Sequence, residues 1–205
     1  KQHAEWVTPL HSSYRGYDLY ELPPNGQGMT VLQMMNILET YPIPSWGAEN
    51  SDYWHVFLEA KKLAFEDRAK YFADPKFYDA PIDTLTSKSY AVRRAGEIDM
   101  QTAGVNYRFG DVAVPGSDTT YLSVADRDGM MVSLIQSIFS PFGSGLVPSD
   151  MGFALHSRGA GFSLHESHAN CYQPGKRPFH TIIPAFVCRD DEPLFSFGVM
   201  GADMQ

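Results

Sequence analysis

The chain has 205 residues, 43% of them hydrophobic, and a formal net charge of −8. That length can bury a substantial core in one or two domains, while the acidic balance, with no basic cluster larger than Arg93 and Arg94, argues against a nucleic-acid partner. No apolar run approaches the roughly 18 residues of a membrane span, and the two cysteines, Cys171 and Cys188, supply neither a disulfide framework nor metal-ligand spacing, leaving one bridge or two free thiols as alternatives.

In chain order, "ELPPNGQGMTVLQMMNILETYPIPSWG" opens with a turn. Thr30 is then expected to cap a helix with Val31, Met34, Met35 and Leu38 at helical spacing, stopped by Pro42 and Pro44. Ser51 and Asp52 begin a second helix, expected to run to Phe72 with an apolar stripe of Trp54, Leu58, Phe65, Ala69 and Phe72. Its Glu59, Lys62, Glu66, Asp67, Arg68 and Lys70 read as a solvated, ion-paired face. A short helix follows Thr86 and Ser87, and residues 101–117 read as an exposed connector punctuated by Gly and Pro. "TTYLSVADRDGMMVSLIQSIF" then alternates, turns at Asp128 and Gly129, and alternates again, the pattern of a β-hairpin. Two glycine-rich bends, "FGSGLV" and "SRGAGF", precede expected strands at 181–188 and 194–199. Helices first and antiparallel strands after, with no βαβ alternation, point to an α+β fold.

The start of the hairpin, "PGSDTTYLSV", admits two readings. Threonine is β-branched and favours strands. Alternatively, Thr119 is a nucleophile that uses its own α-amine as base once the chain is cut before it.

The strings "PPNGQG", "MNILE", "EAKKLAFEDRAKYFADPKF", "TTYLSVADRDG", "FGSG", "RGAGF", "GKRPFHTIIP" and "GVMG", in this order, resemble the γ-glutamyltranspeptidase family over nearly the whole chain. The resemblance implies an N-terminal-nucleophile hydrolase built as a four-layer αββα sandwich, here as an excerpt of a longer precursor. It implies self-cleavage between Asp118 and Thr119. Residues 1–118 would then be the end of a large subunit and 119–205 the start of a small one, joined in a processed heterodimer. Thr119 becomes the catalytic residue and Thr120 an ordinary strand residue. Ser137 matches the hydroxyl that hydrogen-bonds the nucleophile. His180 and Thr181 fall where a Ser-Ser pair holds the substrate carboxylate, and Gly201 and Ala202 match the backbone donors of the oxyanion hole. The family's substrate-carboxylate arginine falls upstream of Lys1. No metal or other cofactor is implied, and the partner is a small-molecule amide.

Two positions depart from the pattern. Phe139 stands where glutamyl-transferring members have Asn, and Gly161 where they have the Asp that pairs with the substrate ammonium. An ammonium buried without a carboxylate is costly, so the glutamate reader is expected to be lost while the amide-cleaving machinery is kept. The expectation is therefore an oxamate-like, carboxylate-bearing amide as substrate. The alternatives are a γ-glutamyltransferase or glutathione hydrolase and a catalytically silent binding or scaffold member. His156, His165, Glu166 and His168 are read as surface residues rather than a metal site, because the His165 and His168 pair lacks a helical context. Cys171 near histidines is a weaker nucleophile candidate. The compartment stays open, with the cytoplasm favoured over the periplasm.

Overall fold

The computed structural model describes residues 4–105 and 118–201. An antiparallel sheet of order β1-β2-β5-β6 is built from β1 (Leu10–Tyr14), β2 (Tyr17–Glu21), β5 (Ala185–Arg189) and β6 (Glu192–Phe197). A second, two-stranded sheet pairs β3 (Asp118–Ala125) with β4 (Met131–Phe139). The helices are α1 (Gly28–Glu39), α2 (Ile43–Trp46), α3 (Ser51–Tyr71), α4 (Ile82–Leu85) and α5 (Lys88–Ala95). The β1–β2 hairpin precedes the helices, so the expected order of helices first and strands after is corrected. Its strands are five residues each, turn at Arg15 and Gly16, and carry tyrosines on both faces, which blurs the alternation that marks a strand.

The sheet face bearing Leu19 and Val187 meets Leu32 of α1. Behind α1, a core of Ile37, Leu38, Val56, Ala60, Leu63, Ala91, Ala95 and Ile98 joins α1, α3 and α5. The opposite sheet face meets the β3–β4 hairpin, where Ser123 bonds Ser196 and Ser133 donates to the Phe197 carbonyl at 3.3 Å. A Cβ on Gly198 would come within 2.6 Å of the Tyr121 ring, so only glycine allows that approach. Helices, sheet and second sheet thus stack as three successive layers of an α+β arrangement among the described residues.

Two helix faces differ from expectation. α1 starts at Gly28, and Thr30 lies buried in its first turn rather than capping it. In α3, Asn50 rather than Ser51 or Asp52 is the cap, its side chain accepting from Asp52 N at 2.6 Å. Trp54 and Leu58 are 49% and 52% exposed, whereas the buried face carries Val56, Ala60, Leu63 and Ala64. Glu59 and Asp67, expected in solvent, are 1% and 6% exposed. They are tolerated inside because each is matched. Glu59 meets Lys62 at 2.6 Å, and Asp67 accepts from Gln33 at 2.8 Å and Tyr90 at 2.9 Å. The expected stripe followed the large aromatic residues, whereas the buried face also takes in the small Ala60 and Ala64 and the charged Glu59 and Asp67.

Glu21 is the counter-example. It is 1% exposed at the end of β2, its carboxyl oxygens find no hydrogen-bond partner among the described residues, and a Cβ at Gly28 would collide with Oε2 at 2.6 Å. Burial pushes its pKa up to about 9. The folded protein therefore holds a proton that the unfolded chain releases above its ordinary value of 4.5. Stability falls as pH rises through this window, by up to about 1.4 kcal/mol per pH unit. Glu21→Gln in the full-length protein should remove that slope. Its unfolding midpoint relative to wild type should climb steadily from pH 5 to pH 8, and an offset that is constant across this range would contradict the buried, neutral carboxyl.

Candidate active site

The turn at Asp128 and Gly129 fixes the register of β3 against β4. Gly129 supplies a φ of 86°, and the Asp126 side chain accepts from the amides of Asp128 and Met130 at 2.9 and 3.0 Å. Ala125 then pairs with Met131, and the ladder runs back without a slip to Thr119 opposite Ser137. Directly opposed residues bring their Cβ atoms to about 5 Å, and here Thr119 Oγ1 donates to Ser137 Oγ at 3.0 Å. Thr120, next along the strand, faces the other way, opposite Gln136, and is exposed.

The register breaks at one place. Between Asp118 and Thr119 it shifts, so that Asp118 pairs with Phe139 and Ile138 is bulged out. Phe139 itself has a φ of 75°, a left-handed conformation costly for a bulky residue. The expected cleavage bond therefore lies at an irregular, strained end of the hairpin. The bulge also frees the Ile138 carbonyl, which accepts from Ser157 N at 3.0 Å, while Ser157 Oγ accepts from Ser140 N at 3.1 Å. These bonds pin the "SRGAGF" bend to the hairpin and fix the position of the next residue, Arg158.

Arg158 was not singled out in the sequence, and it is the centre of the site. It is 2% exposed. Nη2 donates to Ser137 Oγ at 2.8 Å, Nη1 donates to Thr181 Oγ1 at 2.7 Å, and the guanidinium lies 4.3 Å from the centre of the Phe139 ring. The available signal was its arginine in a glycine-rich bend between apolar segments, where no solvent-facing helix or strand could account for it.

Three donors converge on Ser137 Oγ: the Thr119 hydroxyl, the Arg158 guanidinium and the Phe139 N–H, the last at 3.1 Å. A hydroxyl oxygen has two lone pairs, so Ser137 orients Thr119 and cannot serve as its base. A cavity of about 580 Å³ opens beside this pair, lined by Thr119, Thr120, Gln136, Ser137, Ile138, Phe153 and Ala154.

The remaining expected residues fall as follows. His180 and Thr181 are held from behind by the loop before α1. His180 N donates to the Asn25 carbonyl at 2.8 Å, and Gln27, whose Oε1 accepts from Arg68 Nη1 at 2.6 Å, donates through Nε2 to the Thr181 carbonyl at 3.0 Å. Burial, reinforced by the positive charge of Arg158, pushes the His180 imidazole down to about 3. Its Nδ1 accepts from Ile182 N at 3.3 Å, so His180 is neutral with its proton on Nε2 at any working pH. Gly161 closes the single helical turn Arg158–Gly161, and a Cβ there would meet nothing within 4 Å. Gly201 follows β6 with a φ of 147°, a conformation suited to glycine, but Ala202 lies outside the described residues, as do residues 106–117 of the connector. Cys171 and Cys188 are free thiols, and no group of three His, Cys, Asp or Glu among the described residues is arranged to hold a metal ion. No described helix is long and apolar enough to cross a membrane.

The family described as Gamma-glutamyltranspeptidase matches residues 1–205. The chain is 42% identical over 208 residues to the glutathione hydrolase-like YwrD proenzyme of Bacillus subtilis, covering 98% of this chain and 38% of that protein. It is 34% identical over 197 residues to the oxamate amidohydrolase proenzyme of Klebsiella pneumoniae, covering 96% of this chain and 36% of that protein. Among solved structures, a cephalosporin acylase from Bacillus halodurans superposes with a TM-score of 0.83 at 41% identity, over 98% of this chain and 36% of that one. The chain thus spans well under half the length of the relatives it matches.

The Arg158–Thr181 bond is testable by itself. Thr181→Val keeps the side-chain shape but removes the acceptor at a buried guanidinium, a loss of about 1.5–3 kcal/mol for a charged hydrogen bond. The urea midpoint of the full-length protein should drop accordingly, and an unchanged midpoint would contradict the bond.

Proposed function

Since the chain belongs to the γ-glutamyltranspeptidase family, we propose that it carries the nucleophile of a self-processing amide hydrolase, with Thr119 as that nucleophile and the bond between Asp118 and Thr119 as the cleavage site. The observation that carries this reading is the Thr119 hydroxyl, bonded to Ser137 Oγ at 3.0 Å beside an open cavity and one residue from the register break.

The chemistry balances with one residue in two roles. Thr119 Oγ attacks the Asp118 carbonyl carbon, the peptide C–N bond breaks, and the nitrogen leaves protonated as the α-amine of Thr119. Water then hydrolyses the resulting ester, releasing the Asp118 carboxylate and the free hydroxyl. Residues 1–118 and 119–205 would then lie on separate subunits. In turnover the α-amine, with an ordinary pKa near 8, takes the hydroxyl proton as Oγ attacks the substrate amide. It returns that proton to the leaving amine. Water cleaves the acyl ester in the same manner, again giving up a proton to the amine. The Arg158 cation, one hydrogen bond behind Ser137, draws such an amine toward neutrality and favours the developing alkoxide. Gly201 and Ala202 would supply the backbone donors for the oxyanion.

The substrate in this reading is a small carboxylate-bearing amide rather than a γ-glutamyl donor. Phe139 is 6% exposed and faces Arg158, so the position that would receive an amino group is apolar and backed by a cation. A Klebsiella relative is named for oxamate, whereas others are named for glutathione, which keeps the glutathione hydrolase as the second reading.

Thr119→Ala in the full-length protein should abolish both chain cleavage and turnover, while Thr120→Ala should leave cleavage largely intact. Ser137→Ala should still mature but turn over on the order of 10²-fold more slowly, the cost of a nucleophile that is no longer held in position. Mass spectrometry and initial rates check all three, and a Thr119→Ala chain still cut before residue 119 would overturn the assignment.

Specificity gives a separate test. Wild type should prefer oxamate to a γ-glutamyl anilide, because an ammonium loses about 1.5–3 kcal/mol of charged hydrogen bonding at this site. Phe139→Asn with Gly161→Asp should shift kcat/KM toward the glutamyl donor by about 10- to 100-fold. The backbone permits both changes: Asn tolerates positive φ, and Gly161 has open space around it. A wild type that already favours the glutamyl donor tenfold would restore the glutathione hydrolase.

A further inference from the structure

We propose that Gln27 is a positioning residue for Thr119, setting the orientation of the Thr119 hydroxyl from the other side of the cleavage bond. The proposal rests on Thr119 being the nucleophile, as argued above.

Gln27 occupies the N-cap position of α1, where a side chain ordinarily accepts from an amide of the first helical turn. Its side chain makes no such bond. Both ends of its amide bond to distant groups instead: Oε1 accepts from Arg68 Nη1 at 2.6 Å, and Nε2 donates to the Thr181 carbonyl at 3.0 Å. A guanidinium has donors only, so Arg68 fixes which way the amide faces and aims Nε2 at Thr181. Arg68 is itself held, lying 4.0 Å from the centre of the Phe65 ring and 5.2 Å from that of Phe179. Gln27 is 1% exposed, so water does not compete for either bond.

From Thr181 the bonds run on to the nucleophile. Thr181 Oγ1 accepts from Arg158 Nη1 at 2.7 Å, Arg158 Nη2 donates to Ser137 Oγ at 2.8 Å, and Ser137 Oγ accepts from the Thr119 hydroxyl at 3.0 Å. Gln27, Thr181 and Arg158 are all buried. Closely packed interiors transmit a displacement rather than absorb it. The neighbours of Gln27 grip the same segment: Asn25 Nδ2 donates to the Pro178 carbonyl at 2.5 Å, and Gly26 forms a parallel bridge with His180. Within this loop, Gln27 bonds the residue that holds Arg158. Cleavage before Thr119 would leave Gln27 and Arg68 on one subunit and Thr181, Arg158, Ser137 and Thr119 on the other. The nucleophile's own subunit then does not fix its orientation alone. The effect is large enough to matter, because a misplacement of about 1 Å can cost on the order of 10²-fold in rate.

The experiment compares full-length Gln27→Met and Gln27→Glu, each alone and combined with Ser137→Ala, on oxamate and a γ-glutamyl anilide. Gln27→Met keeps the length of the side chain and removes both bonds. Gln27→Glu keeps the bond to Arg68, which holds the carboxylate ionised, but sets an acceptor against the Thr181 carbonyl. Each single variant should lower kcat by about tenfold, with KM changing by less than about threefold. In the Ser137→Ala background the link to Thr119 is already cut, so either change should lower kcat by less than about twofold more. A merely structural role would make the two losses multiply, and a role confined to partnering Arg68 would leave Gln27→Glu at the wild-type rate. Either result, or a loss carried by KM alone, overturns the proposal. A variant that does not mature is read by urea unfolding. A native-like transition supports the proposal, because the same hydroxyl cuts the chain, whereas loss of the transition in both variants overturns it. Thr119→Ala run in parallel separates the two levels. Activity in that variant would defeat the nucleophile assignment, while an inactive Thr119→Ala with multiplying Gln27 and Ser137 losses would defeat only the role of Gln27.

Discussion

The turn at Asp128 and Gly129 sets β3 against β4, and the contact of Thr119 with Ser137 follows from that pairing. A slip of one residue would exchange the faces of the strand, bringing Thr120 toward Ser137 and turning Thr119 out to solvent. Asp126 and Gly129 prevent the slip, the first by accepting from two turn amides and the second by adopting a positive φ. With the turn fixed, the ladder delivers Thr119 to Ser137, and the one residue it cannot accommodate, Ile138, is expelled at the end beside Asp118. A regular hairpin thus ends in an irregular one-residue bulge. That irregularity offers a free carbonyl to the "SRGAGF" bend and brings in Arg158.

Arg158 ties three segments that are distant in sequence. Ser137 lies on the hairpin, Thr181 on the stretch before β5, and Thr181 is in turn braced by Gln27 and Arg68 from the helical layer. The site is therefore rigid because a buried cation is hydrogen-bonded on two sides and stacked on a third. A buried charge that lost one of these partners would be strongly destabilising, so the cation both organises the site and depends on its completeness. His180, kept neutral beside it, adds a polar surface without adding a second charge.

Much of this was legible in the sequence, for local reasons. The hairpin and its turn are set by alternation and by Asp and Gly at fixed offsets, which short-range physics dictates, while the contact of Thr119 with Ser137 was expected through the family resemblance. The family resemblance rested on motifs that are contiguous, and it pointed to the right fold class. What was not legible depended on contacts across the chain. The buried face of α3 carries Asp67 beside Val56, Ala60, Leu63 and Ala64, and the burial of Asp67 is tolerable because Gln33 and Tyr90 arrive from α1 and α5. The β1–β2 hairpin escaped because its short strands become a sheet only when β5 pairs with β2 some 165 residues later, as at Tyr20 and Phe186. Arg158 escaped for the same reason: its partners at 137 and 181 are neighbours only in space.

The central claim is that Thr119 becomes an N-terminal nucleophile. The most direct measurement is peptide mapping by mass spectrometry of the full-length protein quenched during turnover of a slow amide. The account predicts a new N-terminus at Thr119 and an acyl adduct, bound as an ester, on that same residue. An uncut chain that still turns over, or an adduct carried by Cys171 or any residue other than Thr119, would contradict it.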